Sequence, residues 1–225
     1  MHPFNKHDLG DIQLFSVPIT RIDDLGEDAY VVYFKRFFEF KTGQVVAINL
    51  KKKEPARLYS ICSGEDEEDI AILFKLKPDG FLTPRLAQKK IGDSIFVSKS
   101  FGAFYGSKKD DYWIAAGTGI APFVSMLKSG LAQSKTLIQG GRQESSFYYS
   151  ELFESRSELN YIKCSSVIEK DGFYPGRLTS YLKENQLDIT KYFFICGSSE
   201  MVVQVRDILI NKGVNYDKII AEIYF

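Results

Sequence analysis

Two hydrophobic rhythms divide the chain. From about position 12 to 100, apolar and β-branched residues fall in short runs broken by turn residues, the period-two pattern of half-buried strands. Runs at 15–22, 29–37, 44–50, 57–62, 70–77 and 94–99 predict strands, with Asp23-Asp24-Leu25-Gly26 as the first turn. Several short strands in succession predict an antiparallel barrel. From Tyr112 the rhythm changes. Strand-like runs at 112–116, 136–139, 161–167, 192–196 and 218–225 alternate with helical ones at 121–131, 146–154, 178–184 and 200–211. That alternation predicts a doubly wound parallel sheet. The fold class is therefore β plus α/β: an N-terminal antiparallel β-barrel domain over 1–108, then a parallel α/β domain over 109–225.

Composition narrows the picture. The 225 residues are 44% hydrophobic and 26% charged, with 29 basic and 29 acidic side chains. That balance is typical of a soluble globular chain and gives nucleic acid no electrostatic footing. Cys62, Cys164 and Cys196 are far apart and form no zinc or iron–sulfur spacing, so reduced cytoplasmic thiols and no metal are expected. No leader-like apolar stretch opens the chain, and no run reaches the roughly 18 residues of a membrane span. The acidic run Glu65-Asp66-Glu67-Glu68-Asp69 reads as a solvated hairpin tip.

Four stretches carry candidate chemistry. In Arg57-Leu58-Tyr59-Ser60 a cation, a ring and a hydroxyl lie within four residues of a strand. Alternation puts Arg57 and Tyr59 on one face and Ser60 on the other. The set suits a large planar ligand with an anionic tail; an ordinary strand ending at a Ser-Gly turn is the bland alternative. Gly80-Phe81-Leu82-Thr83-Pro84 opens a short helix, with Thr83 as N-cap and Pro84 at N1. Gly117-Thr118-Gly119-Ile120-Ala121-Pro122 joins a strand to a helix and permits close backbone approach to a phosphate. Arg142, after Gly140-Gly141, and Arg177, in Tyr174-Pro175-Gly176-Arg177, follow strands whose carboxyl ends are the ligand side of such sheets. Solvated loop charges are the plain reading of both.

Together with Phe38-Glu39-Phe40-Lys41-Thr42-Gly43-Gln44 before it, Arg57-Leu58-Tyr59-Ser60 resembles the flavin signature of the ferredoxin/flavodoxin–NADP reductase family, bacterial type. Gly117–Pro122, Cys196-Gly197-Ser198-Ser199-Glu200-Met201 and the terminal Ala221-Glu222-Ile223-Tyr224-Phe225 follow in the family's order, so the resemblance covers nearly the whole chain from Ile12. It implies noncovalent FAD on Arg57, Leu58, Tyr59 and Ser60, with Phe81, Leu82 and Thr83 at the pyrophosphate. It implies NADP(H), with NAD(H) as the alternative, on Gly117, Thr118, Gly119, Pro122, Arg142, Arg177, Cys196, Gly197 and Met201. Met201 and Cys196 also read as plain core residues.

By the same resemblance, hydride passes from NADPH to flavin N5 near Ser60, Cys196 shapes the nicotinamide pocket, and Glu222 lies near the nicotinamide. Tyr224 stacks on the flavin opposite Tyr59 and swings aside, while Phe225 stands where some relatives end in tryptophan and lies against the adenine. A terminal strand burying Ile223 and Tyr224 is the other reading. Electrons then leave singly to ferredoxin or flavodoxin, because nicotinamide moves two together. Lys51–Lys53, Lys89-Lys90 and Lys108-Lys109 are candidate docking charges for that carrier, or solvated loops. Ser166 occupies a place where relatives have a third arginine. It supports the alternative of an NADH-dependent flavin or cytochrome-type reductase; a non-catalytic electron-transfer subunit is the remaining one. A monomer or weak dimer is expected.

Overall fold

The computed structural model describes residues 12–224. Phe225 and its expected adenine contact lie outside the described residues. The chain divides into two units: residues up to Tyr105 together with Ala121–Ser129, and Gly106–Ile120 together with Gly130 onward.

The first unit is built on β1 (Leu14–Gly26), β2 (Ala29–Lys35), β3 (Val45–Asn49), β4 (Arg57–Ser60) and β5 (Asp69–Lys75), then the short helix α1 (Thr83–Leu86) and β6 (Ser94–Ser98). The six strands form one sheet in the order β4-β3-β6-β1-β2-β5, every named pairing antiparallel. An Ile61–Ile72 bridge links the end of β4 to β5 across the open edges, closing the barrel. Ile19, Phe34, Ile48, Ile72, Ile95 and Val97 fill its interior.

The first hairpin turns later than expected. Asp23 and Asp24 stay in register with Val31 and Tyr30, and the turn falls on Glu27 and Asp28, both left-handed at φ 49° and 61°. The acidic pair remains in the strand because it is bonded there: the Tyr33 hydroxyl and the Arg21 guanidinium both donate to Asp23 at 2.8 Å.

The second unit holds β7 (Asp111–Ala116), β8 (Thr136–Gly140), α3 (Ser150–Glu154), β9 (Asn160–Ser165), β10 (Phe173–Pro175), α4 (Leu178–Glu184), β11 (Tyr192–Ser198), α5 (Ser199–Asn211) and β12 (Ile219–Tyr224). Its sheet is parallel throughout, in the order β10-β9-β8-β7-β11-β12. The order reverses between β7 and β11, the switch point at which open α/β sheets receive ligands. Helix α2 (Ala121–Lys128) follows β7 in the chain. It belongs with the barrel rather than with residues 109–225: Thr42 Oγ1 donates to Ser125 Oγ at 2.8 Å, and Lys128 pairs with Glu67 at 3.0 Å.

Two other local expectations change. Residues 146–154 are not one helix, because Tyr149 is left-handed at φ 61° and separates a single turn at Glu144–Ser146 from α3. Arg177 follows the added edge strand β10, not the third strand. At the amino ends of the parallel strands, Asp111 and Lys135 form an ion pair at 3.4 Å with both side chains wholly buried. The Ser107 hydroxyl donates to Asp111, and the Lys135 ammonium also donates to the Lys109 carbonyl. Among the described residues, no helix is long and apolar enough to cross a membrane.

Candidate functional site: a barrel strand and a sheet switch point

In the barrel, exposure falls steadily along β4. Arg57 is exposed, Leu58 and Tyr59 are half-buried and Ser60 is buried. The simple two-face alternation is thus overridden by the strand's position at the sheet edge, where it runs inward against β3. The Tyr59 ring meets Phe74 of the core edge-on at 6.4 Å. Burial raises its phenol well above the ordinary value, against the opposing pull of the Arg57 charge. Tyr59 is therefore a fixed neutral ring, and Arg57 a cation at the open end of the same strand.

The helix at 83 starts differently from the expectation. Leu82, not Thr83, is the residue before its first turn, and no side chain caps it. The Thr83 hydroxyl instead accepts from the Lys77 N–H at 2.9 Å, fixing the turn Lys77–Gly80. A Cβ on Gly80 would stand 2.9 Å from the Lys77 carbonyl oxygen, so only glycine fits there. Leu82 is buried and can offer a ligand only its backbone, whereas Phe81 is half-exposed with the Arg85 guanidinium 4.2 Å from its ring centre. Arg85 is itself held by a two-pronged pair with Glu54, both contacts 2.9 Å.

In the second unit, register brings three expected residues together. Cys196 is paired with Glu222, and Ser198 with Tyr224, so Cys196, Glu222 and Tyr224 share one face of β11 and β12. Cys196 and Glu222 are buried, with Cys196 Sγ 3.9 Å from Glu222 Oε2. Burial pushes the Cys196 thiol well above its ordinary value; the Glu222 charge adds to this and a hydrogen bond with Tyr224 opposes it. The group is a neutral thiol, not a nucleophile.

The glycine turn lies at the switch point. Gly117–Ile120 forms a single tight turn after β7. A Cβ on Gly119 would stand 2.2 Å from the Cys196 carbonyl oxygen, while Gly117, at φ 56°, faces open space. One glycine thus lets two strand ends approach, and the other leaves room beside the backbone, a cradle that suits a phosphate. Thr118 is half-buried between them, and Pro122 is buried in the first turn of α2. Met201 packs on the core and over Gly197.

Farther along the same carboxyl edge, Ser165 ties three segments together. Its hydroxyl donates to the Arg142 carbonyl at 3.2 Å, and its own carbonyl accepts from the Gly176 N–H at 2.8 Å. Arg142 and Arg177 therefore flank one residue, both exposed. Ser165 was outside the expected set; a Ser-Ser pair at a strand end is the only signal it leaves in the sequence. Of the eight arginines, Arg21, Arg36, Arg85 and Arg206 meet carboxylates. Arg57, Arg142, Arg156 and Arg177 meet none among the described residues.

A family model described as an oxidoreductase NAD-binding domain matches residues 113–207. The ferredoxin–NADP reductase of Pseudomonas aeruginosa is 30% identical over 205 residues, covering 77% of this chain and 80% of that protein. The chain belongs to the ferredoxin–NADP reductase family. Another relative of this family member, the toluate 1,2-dioxygenase electron transfer component of Pseudomonas putida, is 26% identical over 224 residues. That match takes in 89% of this chain, which spans 64% of the relative's length. Among solved structures, a Neisseria gonorrhoeae ferredoxin NADP+ reductase with bound FAD and NADP shares the fold, with a TM-score of 0.85 at 21% identity over 96% of this chain and 100% of the other. The barrel and parallel sheet are thus the family's architecture in this chain.

Proposed function

We propose that this member of the family is an FAD-dependent reductase that takes electrons from NADPH and passes them singly to a separate ferredoxin or flavodoxin. The observation that carries the reading is the set of exposed arginines without a carboxylate. Arg57 stands at the end of the strand that presents Tyr59, and Arg142 and Arg177 flank Ser165 at the ligand edge of a parallel sheet. Unpaired guanidiniums at such places suit phosphate, which they bind with two parallel hydrogen bonds.

In this reading Arg57 holds the flavin's phosphates, Tyr59 gives a rigid stacking face, and Ser60 offers a polar group at the ring edge. The backbone of Phe81–Thr83 lies beside the pyrophosphate, and the Gly117–Gly119 turn receives the phosphates of the dinucleotide. Arg142 and Arg177 hold the 2′-phosphate. When bound, flavin would supply the exchange between a two-electron donor and a one-electron acceptor. Cys196 remains neutral and shapes the nicotinamide pocket, Glu222 gives a carboxylate for proton exchange, and Tyr224 offers a mobile stacking ring. Cys62, Cys164 and Cys196 are buried and outside any disulfide among the described residues, which accords with a cytoplasmic setting.

Ser166, exposed and uncharged at the end of β9, favours a second reading with NADH as the donor. The primary test is FAD binding. Flavin fluorescence should be quenched on titration with the apoprotein, and Arg57→Ala should weaken binding about tenfold, the worth of one charge-assisted hydrogen bond. Unchanged affinity in that variant would remove Arg57 from the site.

A further inference from the structure

Residues Glu144 and Lys170 have no part in the functions assigned above. Glu144 lies two residues after Arg142, in the turn whose N–H groups at Arg142 and Gln143 both bond Ser146 Oγ, at 3.0 and 3.1 Å. Lys170 lies in the loop between β9 and β10. That loop is folded around Ser165, whose hydroxyl accepts the N–H groups of Val167 and Ile168 at 3.2 Å each. The Lys170 ammonium reaches both oxygens of Glu144, at 3.2 and 3.1 Å. The pair joins the turn carrying Arg142 to the loop that follows Ser166.

We infer that the Glu144–Lys170 pair sets the choice between the 2′-phosphorylated dinucleotide and its unphosphorylated counterpart. The inference rests on Arg142 and Arg177 forming the 2′-phosphate subsite. Glu144 stands two residues from Arg142, and the Lys170 ammonium, bonded to both its oxygens, offsets that carboxylate and holds it in the pair; Glu169 and Asp171 flank Lys170 in the loop. Lys170 supplies, farther along the same loop, the cation that Ser166 does not. Both side chains are more than half exposed, so the pair adds little to stability and its charges remain open to a ligand.

The test is steady-state reduction of ferricyanide by the holoenzyme with NADPH and with NADH, alongside calorimetric binding of adenosine 2′,5′-bisphosphate. Lys170→Ala should lower kcat/KM for NADPH about tenfold, leave NADH unchanged, and weaken the bisphosphate to match, as expected for one charge-assisted contact. The loss should shrink as salt is raised. Glu144→Gln should improve NADPH use, and Glu144→Gln/Lys170→Ala should regain part of the loss because the carboxylate leaves with the cation that offset it. An equal change with both dinucleotides, or none, in Lys170→Ala would overturn the inference while Arg142→Ala still discriminated. Were Arg142→Ala also indifferent to the 2′-phosphate, the subsite itself would be misassigned and the inference would fall with it.

Discussion

The two ends of the parallel sheet treat charge in opposite ways. At the amino ends Asp111 and Lys135 are wholly buried, 3.4 Å apart, with the Ser107 hydroxyl also on Asp111 and the Lys109 carbonyl also on Lys135. At the carboxyl ends Arg142 and Arg177 are exposed, and neither meets a carboxylate among the described residues. A buried charge must find its partner inside the fold, because water cannot replace it. An exposed cation has no such need and can meet an external anion. The same residue class therefore marks architecture at one end of the sheet and, in the reading proposed above, ligand chemistry at the other; burial separates the two.

The sharpest way to break this comparison is Lys135→Met. It strands a buried carboxylate, so the free energy of urea unfolding should fall by about 3–5 kcal/mol. The folded fraction should keep its NADPH affinity. Arg142→Ala should do the reverse. Its KM for NADPH should rise about tenfold with the loss of one charge-assisted contact, while unfolding changes by no more than about 0.5 kcal/mol, as for an ordinary surface substitution. If Arg142→Ala were as destabilising as Lys135→Met, the functional reading of the carboxyl edge would fail.

A smaller effect separates burial from position. Cys164 sits near the carboxyl end of β9 but is buried, and burial pushes its thiol from about 9 up to about 12. The unfolded chain therefore loses this proton first as pH rises. Stability from Cys164 is whole below about pH 9 and is lost between there and about pH 12. Guanidinium unfolding of wild type against Cys164→Ala should show this as an extra alkaline slope of at most about 1.4 kcal/mol per pH unit in wild type. Parallel slopes would mean that the thiol is wetter than its surroundings imply.

Much of the fold was legible because periodicity is a local property. Strand and helix runs separate barrel from α/β sheet, and the glycine turn at 117–119 declares its strand–helix junction. What escaped depends on contacts distant in sequence. The first turn moved to Glu27-Asp28 because Asp23 is bonded to Tyr33 and Arg21. Helix α2 joined the barrel through Thr42, Glu65 and Glu67, which no pattern within 121–131 reveals. Thr83 looked like a cap, but its hydroxyl is bonded to Lys77 six residues back. At the candidate site, residue type and position single out Arg57, Arg142 and Arg177, and the family resemblance adds Cys196 and Glu222. The hub at Ser165 and the Glu144–Lys170 pair arise from loop geometry that spacing does not encode.

The most direct test of the central claim is anaerobic reduction of the FAD-loaded protein, followed as bleaching of the oxidised flavin's visible band, with NADPH and NADH in parallel. Rapid bleaching by NADPH, with NADH much slower, is the predicted result: Arg142 and Arg177 then hold a 2′-phosphate, and a one-electron carrier is the acceptor. A protein that takes up no FAD, or whose bound flavin neither dinucleotide reduces, would contradict the account.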